Sequence, residues 1–347
     1  MEYINFGKTG MKVSRFGLGC MRFPEDEAEA IKIVRTSIDR GVNYLDTAYI
    51  YPGSEDILGK ALKEGYRDRI SLVTKCPVIN VEKYDDLEKY LDEQLLRLNT
   101  DHLDLYLMHN ISPAIQAKVK NLDLRGFYEK MKKKGKVLFG GFSIHNSFDA
   151  FKEIIEYCDW DMVQMQLNIL DERSQAGGIE GLKYAASKGL PVTIMEPLRG
   201  GSLISDLTPK GAEILKNSPV KYSLPEIAFR WLYNKPEVSV ILSGVSTIEQ
   251  LEDNLRIFEN SKPNVMSEAE EKLVEELRES YKTEQIIGCT DCKYCMPCTK
   301  NVLIPSTFAF YNKYMLTKDE SLKKAYMAGG RKADLCVMCG KCAKHCP

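Results

Sequence analysis

Residues 42–75 read VNYLDTAYIYPGSEDILGKALKEGYRDRISLVTK and contain the unit that is repeated along the chain. An apolar run, Val42–Asp46, is followed by a stretch of helical periodicity, Ser54–Glu64, and then by a second apolar run, Ile70–Lys75. Short apolar runs without alternation are typical of buried parallel strands, and the amphipathic stretch between them fits a helix that covers those strands. The segment therefore predicts a strand–helix–strand unit of a parallel sheet.

The same alternation recurs along residues 1–283. The predicted strands are all short and rich in β-forming residues: Phe16–Cys20, Val42–Asp46, Ile70–Lys75, Leu103–His109, Val137–Ser143, Met162–Gln166, Pro191–Met195 and Val238–Ser243. The predicted helices are all amphipathic: Glu25–Arg40, Ser54–Glu64, Glu82–Leu98, Leu122–Lys134, Ser147–Tyr157, Ala176–Lys188, Leu224–Tyr233 and Thr247–Glu259. Eight such units over about 250 residues predict an α/β fold of the (β/α)8 TIM barrel type. A doubly wound sheet is the alternative, but it rarely needs eight units, and no Gly-rich phosphate turn follows the first strand.

The end of the chain differs from the rest because it holds eight of the eleven cysteines. We therefore predict two domains, a barrel over residues 1–283 and a small cysteine-rich C-terminal domain over residues 284–347. Glu268–Lys282 is predicted to be the helix that links them. The net charge of −1 gives no indication of binding to nucleic acid or to an anionic membrane.

The eight cysteines form two runs whose spacing is typical of ligands to 4Fe–4S clusters. The first run reads CTDCKYCMPC from Cys289, and the second reads CVMCGKCAKHCP from Cys336. In the bacterial ferredoxin pattern, three closely spaced cysteines hold one cluster and the fourth serves the neighbouring cluster. This pattern assigns four ligands to each of two clusters: Cys289, Cys292, Cys295 and Cys346 to the first, and Cys336, Cys339, Cys342 and Cys298 to the second. Residues 284–347 are therefore predicted to form a small C-terminal ferredoxin-like iron–sulfur domain. Zinc, which prefers separated pairs of cysteines, and disulfides are the alternatives.

The sequence also carries predictions about location. The first residues, MEYINFGK, lack the basic and apolar regions of a secretory signal, and no run of about eighteen apolar residues predicts a membrane span. Reduced cysteines without an export signal predict a cytoplasmic protein, and the clusters point to an organism that lives with little oxygen. The sequence stops at Pro347, directly after the last predicted ligand. We expect further residues to follow, with an end at Pro347 as the alternative.

Ionisable side chains close three successive predicted strands. Asp46 ends the second strand, Lys75 the third and His109 the fourth, while Tyr51 lies in the loop after Asp46. Because barrel enzymes hold their active sites at the carboxyl ends of the strands, we expect these four side chains to converge. One Lys or Asp at a strand end is more often a surface residue, but three at equivalent ends together with a tyrosine indicate an active site.

These motifs resemble the aldo-keto reductase family. The resemblance rests on NYLDTAYIY at residues 43–51, VTK at 73–75, DLYLMH at 104–109, GKTGMKVSRFGLG at 7–19 and EPLRGG at 196–201. It covers about residues 1–260, and with the cysteine-rich tail the chain resembles the subgroup that carries a C-terminal ferredoxin-like domain. The resemblance implies an NAD(P)H-dependent oxidoreductase that transfers hydride between a nicotinamide cofactor and a small carbonyl or alcohol substrate.

The resemblance further implies a role for each of the four rim residues. Tyr51 is expected to protonate the carbonyl oxygen as the general acid. Lys75 supplies the positive charge that eases ionisation of this tyrosine, and Asp46 pairs with Lys75. His109 is expected to donate a hydrogen bond that orients the carbonyl and stabilises the developing oxyanion.

The implied cofactor is NADP in preference to NAD. Ser143 and Gln164 are expected at the nicotinamide carboxamide, where Ile144 replaces the Asn of the family and His145 or Asn146 is the substitute. Gly244 and Gln250 stand where several members place Lys and Arg, which weakens the case for strict NADPH selectivity. The other expected contacts lie in two segments: Pro197, Leu198, Arg199, Gly200, Gly201 and Leu203 at the pyrophosphate, and Ser243, Gly244, Thr247, Gln250 and Asn254 at the adenosine end.

The role of the clusters stays open in the sequence. A 4Fe–4S cluster passes single electrons whereas a nicotinamide passes a hydride, and no motif supports a flavin that would join the two. The first interpretation is a carbonyl reductase whose tail serves docking or stability. The second is a barrel site that receives electrons from a ferredoxin-type partner, with a bound flavin as the intermediate carrier. The third is an electron-transfer protein that retains the barrel as a scaffold.

Overall fold

The computed structural model describes residues 1–173, 175–284, 287–289, 295–330 and 332–346, which divide into two compact units. The first unit comprises residues 1–167, 171–195 and 232–265, and the second comprises residues 168–170, 196–231 and 266–347. The predicted domain boundary between residues 283 and 284 stays a prediction, since compact units and functional domains need not coincide.

The first unit is built on a closed barrel of eight parallel strands. An antiparallel hairpin precedes the barrel, and the strands in chain order are β1 (Tyr3–Asn5), β2 (Lys12–Ser14), β3 (Phe16–Gly19), β4 (Tyr44–Asp46), β5 (Ser71–Cys76), β6 (Leu103–Ile111), β7 (Val137–Ile144), β8 (Met162–Gln166), β9 (Val192–Met195) and β10 (Val238–Ser243). Each strand from β3 to β10 pairs with the next, and β10 closes on β3 with Ile241 opposite Phe16. The predicted (β/α)8 barrel is confirmed, and the eight predicted strands are all present.

Helices follow the barrel strands, and all eight predicted helices are present. Their bounds are α1 (Glu27–Asp39), α2 (Ser54–Ala61), α3 (Asp86–Leu98), α4 (Pro113–Lys120), α5 (Leu124–Lys133), α6 (Phe148–Tyr157), α7 (Ile179–Ser187), α8 (Ser202–Ser205), α9 (Pro209–Asn217), α10 (Leu224–Tyr233), α11 (Ile248–Phe258), α12 (Glu268–Glu284), α13 (Ile304–Thr317), α14 (Glu320–Ala328) and α15 (Lys341–His345). Helices α4, α8 and α9, which lie in the loops after β6 and β9, were not predicted. Within the described part of the chain, no helix is long and apolar enough to cross a membrane.

Two predicted helices begin later than expected for local reasons. The carboxylate of Asp86 accepts the backbone N–H groups of Glu82 and Lys83 at 2.9 and 3.0 Å, so these residues form a turn before α3 begins. Before α7, Gly177 and Gly178 have φ of 80° and 56°, in the left-handed region that ends or precedes regular helix.

Apolar side chains fill the interior of the barrel. Phe6 and Val13, from the hairpin region, pack in one buried cluster with strand residues that include Tyr44, Leu107 and Leu242. A Cβ added at Gly17 of β3 would lie 2.8 Å from side-chain carbons of both Leu242 and Val240. Only a glycine therefore fits where β3 meets β10, and the interior is a packed core rather than a channel.

The second unit is organised around α12, the predicted linker helix. Arg278 donates from Nε to the carbonyl of Ile169 at 2.7 Å, and the Tyr281 hydroxyl donates to the carbonyl of Leu203 at 2.5 Å. Beyond α12, the described residues 287–289, 295–330 and 332–346 form α13, α14, α15 and turns, with no strand among them. These elements do not show the ferredoxin-like fold that was predicted for the tail.

Arg15 ties together the two strands at which the barrel closes. It lies directly before β3, is 4% exposed, and donates to the carbonyls of Tyr233 at 3.2 Å, Val238 at 2.9 Å and Ser261. Burial lowers the pKa of Arg15 to about 10, and the carboxylate of Glu2 opposes that shift. A buried cation thus satisfies three backbone acceptors of the segment that contains β10.

We predict that Arg15→Met lowers the free energy of unfolding of the barrel by about 3 kcal/mol, because it leaves three carbonyls without their donor. Arg40→Met is the matched control, since Arg40 forms an exposed ion pair with Glu252 at 2.6 Å. Loss of an exposed pair costs less than about 1 kcal/mol. Urea unfolding followed by circular dichroism compares the two variants, and equal losses would contradict the role of Arg15.

Candidate active site

Lys75 and Asp46 form a buried ion pair at the carboxyl ends of β4 and β5. The Lys75 Nζ lies 2.5 Å from Asp46 Oδ1 and 2.7 Å from the carbonyl oxygen of Thr47, and both charged side chains are almost fully buried. Burial raises the pKa of Asp46 above its ordinary value, and the Lys75 ammonium and the amide of Gln164 oppose that rise. The pair therefore places one cation in a water-poor environment with two defined acceptors.

Tyr51 lies beside this cation. The Lys75 Nζ is 5.3 Å from the centroid of the Tyr51 ring. A turn brings the tyrosine back towards the barrel, since its N–H donates to the carbonyl of Ala48 at 3.0 Å. The loop is fixed further by Thr47 and Ser54, whose hydroxyls are 2.7 Å apart.

His109 completes the group. Its ring centroid lies 5.8 Å from that of Tyr51, with the two planes nearly perpendicular at 87°. Burial lowers the pKa of His109 well below 6.5, and the charges of Lys75 and His145 act in the same direction. The structure thus brings the four predicted rim residues Asp46, Tyr51, Lys75 and His109 together, as the ends of three successive strands require.

The residues expected at the carboxamide surround this group. Gln164 of β8 donates from Nε2 to Asp46 Oδ2 at 3.4 Å, while its Oε1 is buried with no hydrogen-bond partner among the described residues. The Ser143 hydroxyl accepts the N–H of Asn110 at 2.8 Å. His145 and Asn146, the two candidates to replace the family's Asn, both contact other side chains. His145 Nδ1 lies 2.5 Å from Gln175 Oε1, and the Asn146 amide donates to Gln116 Oε1 at 3.2 Å.

The residues expected at the adenosine end lie after β10 and at the start of α11. Thr247 is the N-cap residue of α11, and its hydroxyl accepts the N–H of Gln250 at 3.3 Å. The Gln250 side chain accepts the N–H of Ser246 at 2.9 Å, while Asn254 donates to the Ser243 hydroxyl at 3.1 Å. In this structure the Thr247 hydroxyl therefore caps the helix, and the Gln250 side chain holds Ser246, the residue before the cap.

The residues expected at the pyrophosphate belong to the second unit, as part of the loop after β9. Arg199, Gly200 and Gly201 have φ of 49°, 66° and 99°, and the two glycines make this left-handed turn possible. The Arg199 guanidinium donates to the carbonyl of Gly288 at 3.1 Å. Gly288 directly precedes Cys289, so the loop contacts the start of the first cysteine run, a pairing that the sequence did not indicate.

Three of the four cysteines assigned to the second cluster share one local geometry. Cys298 and Cys336 each accept, at 3.4 Å, the backbone N–H of the residue two positions later. The N–H of Lys341 acts on Cys339 in the same way and lowers the pKa of its thiol, with a further contribution from the side chain of Thr299. A backbone N–H two positions later is thus a donor to the sulfur of each of these three cysteines.

Among the residues that the structure describes, the predicted cluster ligands do not come together as a complete set. Cys292 lies outside the described residues, and Cys289, Cys295 and Cys342 are half-buried while Cys346 is exposed. In the described ranges, no three His, Cys, Asp or Glu side chains come close enough to hold a metal ion together. Cys298, Cys336, Cys339, Cys342 and Cys346 form no disulfide, so the disulfide alternative finds no support at these five positions of the tail.

Two contacts that join distant loops could not be predicted from the sequence. The Thr47 carbonyl that accepts from Lys75 is a backbone group and leaves no trace in the residue type. The Gln175 partner of His145 lies thirty residues away, in a loop without regular periodicity. Both contacts depend on which strands pair in the barrel: β4 pairs with β5 near Lys75, and β7 pairs with β8 near His145.

We predict that His145 makes the protein less stable in acid. Burial lowers the pKa of His145 to about 4, and its hydrogen bond to Gln175 opposes that shift. The unfolded chain takes up a proton near pH 6.5 while the folded chain does not, so the free energy of unfolding falls by about 2 kcal/mol between pH 7 and pH 5 through this residue. His109, whose pKa is also lowered, acts in the same direction.

Denaturant titrations at pH 7 and pH 5 measure this loss in the wild type and in His145→Gln, which cannot take up the proton. We expect the variant to lose about 2 kcal/mol less than the wild type over that interval. An identical loss in both proteins would show that His145 is charged in the folded state.

Comparisons with known proteins place this arrangement in a family. The aldo/keto reductase family profile matches residues 15–275, and the cysteine-rich tail lies beyond that match. The uncharacterized oxidoreductase YqkF of Bacillus subtilis is 26% identical over 297 residues, which cover 74% of this chain and 90% of the relative. The NADH-specific methylglyoxal reductase of Escherichia coli is 24% identical over 334 residues, which cover 81% of this chain and 99% of the relative.

The fold agrees with that of a solved aldo-keto reductase from Bacillus halodurans in its holo form. The two superpose with a TM-score of 0.67 at 25% identity, over 80% of this chain and 96% of the solved chain. Because the family profile spans well over half of the sequence, the chain belongs to the aldo/keto reductase family, and the prediction of an NAD(P)H-dependent oxidoreductase of that family is confirmed.

Proposed function

We propose that the chain transfers hydride between a reduced nicotinamide and the carbonyl carbon of a small aldehyde or ketone. One observation carries the proposal: a potential proton donor, Tyr51, lies beside the buried cation of Lys75 and next to the ring of His109. Reduction of a carbonyl needs a proton for the oxygen and a polarising donor, and these residues supply both.

The side chain of Gln164 is suited to bind the carboxamide of a nicotinamide cofactor. A buried amide oxygen without a partner is costly, and the Gln164 Oε1 has none among the described residues. The carboxamide of a nicotinamide offers the N–H that this oxygen lacks, and Ser143 lies on the neighbouring strand β7, opposite Gln164. When bound, a reduced nicotinamide supplies the hydride from its C4 atom.

Tyr51 is the proton donor in this proposal. A tyrosine ionises near pH 10 and is a slow donor unless a nearby positive charge stabilises its phenolate. Lys75 provides that charge, and Asp46 and the Thr47 carbonyl hold its ammonium in place. The tyrosine proton passes to the carbonyl oxygen as negative charge develops there.

His109 orients the carbonyl rather than protonating it. Because burial lowers the pKa of His109 well below 6.5, the ring is neutral at pH 7 and carries a single N–H. A neutral imidazole can donate one hydrogen bond to the substrate oxygen, but it is a much weaker acid than imidazolium. The same lowered pKa therefore supports the division of roles between His109 and Tyr51.

NADP remains our preferred cofactor, with NAD as the alternative. The expected contacts are Pro197, Leu198, Arg199 and Gly201 at the pyrophosphate, and Ser243, Gly244, Thr247, Gln250 and Asn254 at the adenosine. No Lys or Arg stands at positions 244 and 250, and one relative is named as NADH-specific, so both cofactors belong in the test. That relative is named a methylglyoxal reductase, which makes small aldehydes the first substrates to assay.

The tail is proposed to hold two 4Fe–4S clusters, in the manner of the ferredoxin-like subgroup. The support is the spacing of the eight cysteines and the N–H donors at i+2 on Cys298, Cys336 and Cys339. Hydrogen bonds to the sulfurs are one of the ways in which proteins tune such clusters. The clusters serve docking or electron transfer beside a barrel that carries out the hydride chemistry, in a cytoplasmic protein.

We predict that Tyr51→Phe lowers kcat for carbonyl reduction by about 10²- to 10⁴-fold, because it removes the general acid and little else. Tyr49→Phe is the matched control: it removes a hydroxyl from the same loop, one that donates to Glu93 at 2.9 Å. The assay follows oxidation of NADPH and NADH with a panel of aldehydes and ketones. Equal activity of Tyr51→Phe and wild type would contradict the proposed mechanism.

We predict that anaerobically purified protein contains about eight irons per chain, as two 4Fe–4S clusters require. Cys339→Ser should lose about half of the iron and of the visible absorbance, since it removes a ligand of one cluster only. Cys158→Ser, which alters a buried barrel thiol, should lose none. Zinc without iron or sulfide in the wild type would instead support the zinc alternative.

A further inference from the structure

A second buried carboxylate, Glu55, lies under the candidate active site and takes no part in the proposed chemistry. It is 2% exposed and belongs to the first turn of α2, four residues after Tyr51. Its Oε1 accepts the Thr74 hydroxyl at 2.7 Å and the Gln94 amide at 2.5 Å. Its Oε2 accepts the Arg97 guanidinium at 3.2 Å.

These partners connect three elements of the barrel. Thr74 directly precedes Lys75 in β5, while Gln94 and Arg97 belong to α3. The Gln94 amide also lies 2.9 Å from the Thr74 hydroxyl and 3.2 Å from the backbone carbonyl of Lys75. The remaining atom of the Gln94 amide, Oε1, accepts the Tyr106 hydroxyl at 2.8 Å, so the network is anchored to β6 as well.

The packing of α2 against α3 makes these contacts possible. A Cβ added at Gly59 of α2 would lie 2.2 Å from the carbonyl oxygen of Arg97, so only a glycine allows this approach. Helix α2 begins directly after the loop that carries Tyr51, and its first residue, Ser54, donates to the carbonyl of Cys20 at 2.7 Å. The start of α2 is thus held against both β3 and β5.

We propose that Glu55 is a positioning residue that fixes the loop of Tyr51 relative to Lys75. Glu55 holds the start of α2 to Thr74 through one side-chain hydrogen bond, and Thr74 is covalently next to Lys75. The carboxylate therefore sets how far the phenol lies from the ammonium. Glu55 touches neither Tyr51 nor Lys75 Nζ through any of these contacts, so it acts through Thr74, Gln94 and Arg97.

This inference rests on the proposed function, because it concerns the geometry of the same proton donor. If the Lys75 cation moves away from Tyr51, the phenolate loses part of its stabilisation and the tyrosine gives up its proton less readily. Carbonyl reduction needs a protonated tyrosine, so its rate falls as the pH rises through the apparent kinetic pKa. This fall in rate at high pH is the alkaline limb of the pH profile, and it moves to higher pH when the cation is displaced.

The test compares Glu55→Gln and Thr74→Val with wild type over a pH series. Glu55→Gln should lower kcat by about 10- to 100-fold, the range expected when reacting groups are displaced by an ångström. Its KM values for cofactor and carbonyl should stay within about twofold, and its alkaline limb should move upward. Thr74→Val removes only the hydroxyl between Glu55 and β5, and should change kcat and the limb in the same direction by less.

Asp104→Asn is the matched control for loss of a carboxylate that braces β5. Asp104 accepts the N–H of Leu72 at 2.8 Å and the Arg67 guanidinium at 2.8 Å, at the opposite end of the same strand. This variant should lower the midpoint of thermal unfolding, but its kcat and the alkaline limb of its pH profile should equal those of the wild type. An equal effect of Asp104→Asn and Glu55→Gln on kcat and on the limb would assign Glu55 a purely structural role and overturn the inference.

Tyr51→Phe, assayed alongside, separates failure of the inference from failure of the proposed function. If Tyr51→Phe abolishes reduction while Glu55→Gln and Thr74→Val keep the wild-type kcat and limb, only the inference is overturned. If Tyr51→Phe is as active as wild type, or the wild type reduces no carbonyl, the proposed function and the inference are both overturned. If Glu55→Gln fails to fold, Thr74→Val provides the test: a lower kcat and an upward move of its alkaline limb support the inference, and wild-type values of both overturn it.

Discussion

The buried ion pair of Lys75 and Asp46 is the constraint on which the rest of the candidate site depends. An isolated ammonium in this environment would be costly, and it persists because Asp46 and the Thr47 carbonyl both accept from it. Those acceptors come from β4 and the residue after it, so the pairing of β4 with β5 sets the position of the charge. Tyr51, the proposed proton donor, His109 and the Glu55 carboxylate are all arranged around that position.

The fold and the four rim residues could be predicted because they depend on local patterns. Buried parallel strands leave apolar runs, and a charged residue that ends such a run, as Asp46 and Lys75 do, stands out in the sequence. The network around Glu55 could not be predicted, because Thr74, Gln94 and Arg97 are brought to it only by the packing of α2 on α3. Helices α8 and α9 were missed because the loop after β9 shows no sustained periodicity.

For the tail, the spacing of the cysteines is more informative about function than the observed secondary structure. The family match ends at residue 275, before the first cysteine run, and the described tail elements are helices and turns. Yet the contact between Arg199 and Gly288 joins the loop after β9 to the residue that precedes Cys289. A residue expected at the cofactor pyrophosphate is therefore in direct contact with the segment that leads into the predicted ligands.

The most direct test supplies the full chain, purified without oxygen, with a reduced nicotinamide that carries deuterium at both C4 positions. Direct hydride transfer in the barrel predicts that the alcohol product carries one deuterium on the former carbonyl carbon, as mass spectrometry would show. If electrons instead passed through the clusters or a bound flavin, the label would exchange with water and the product would carry none. That result would contradict the assignment of the chemistry to the residues around Lys75.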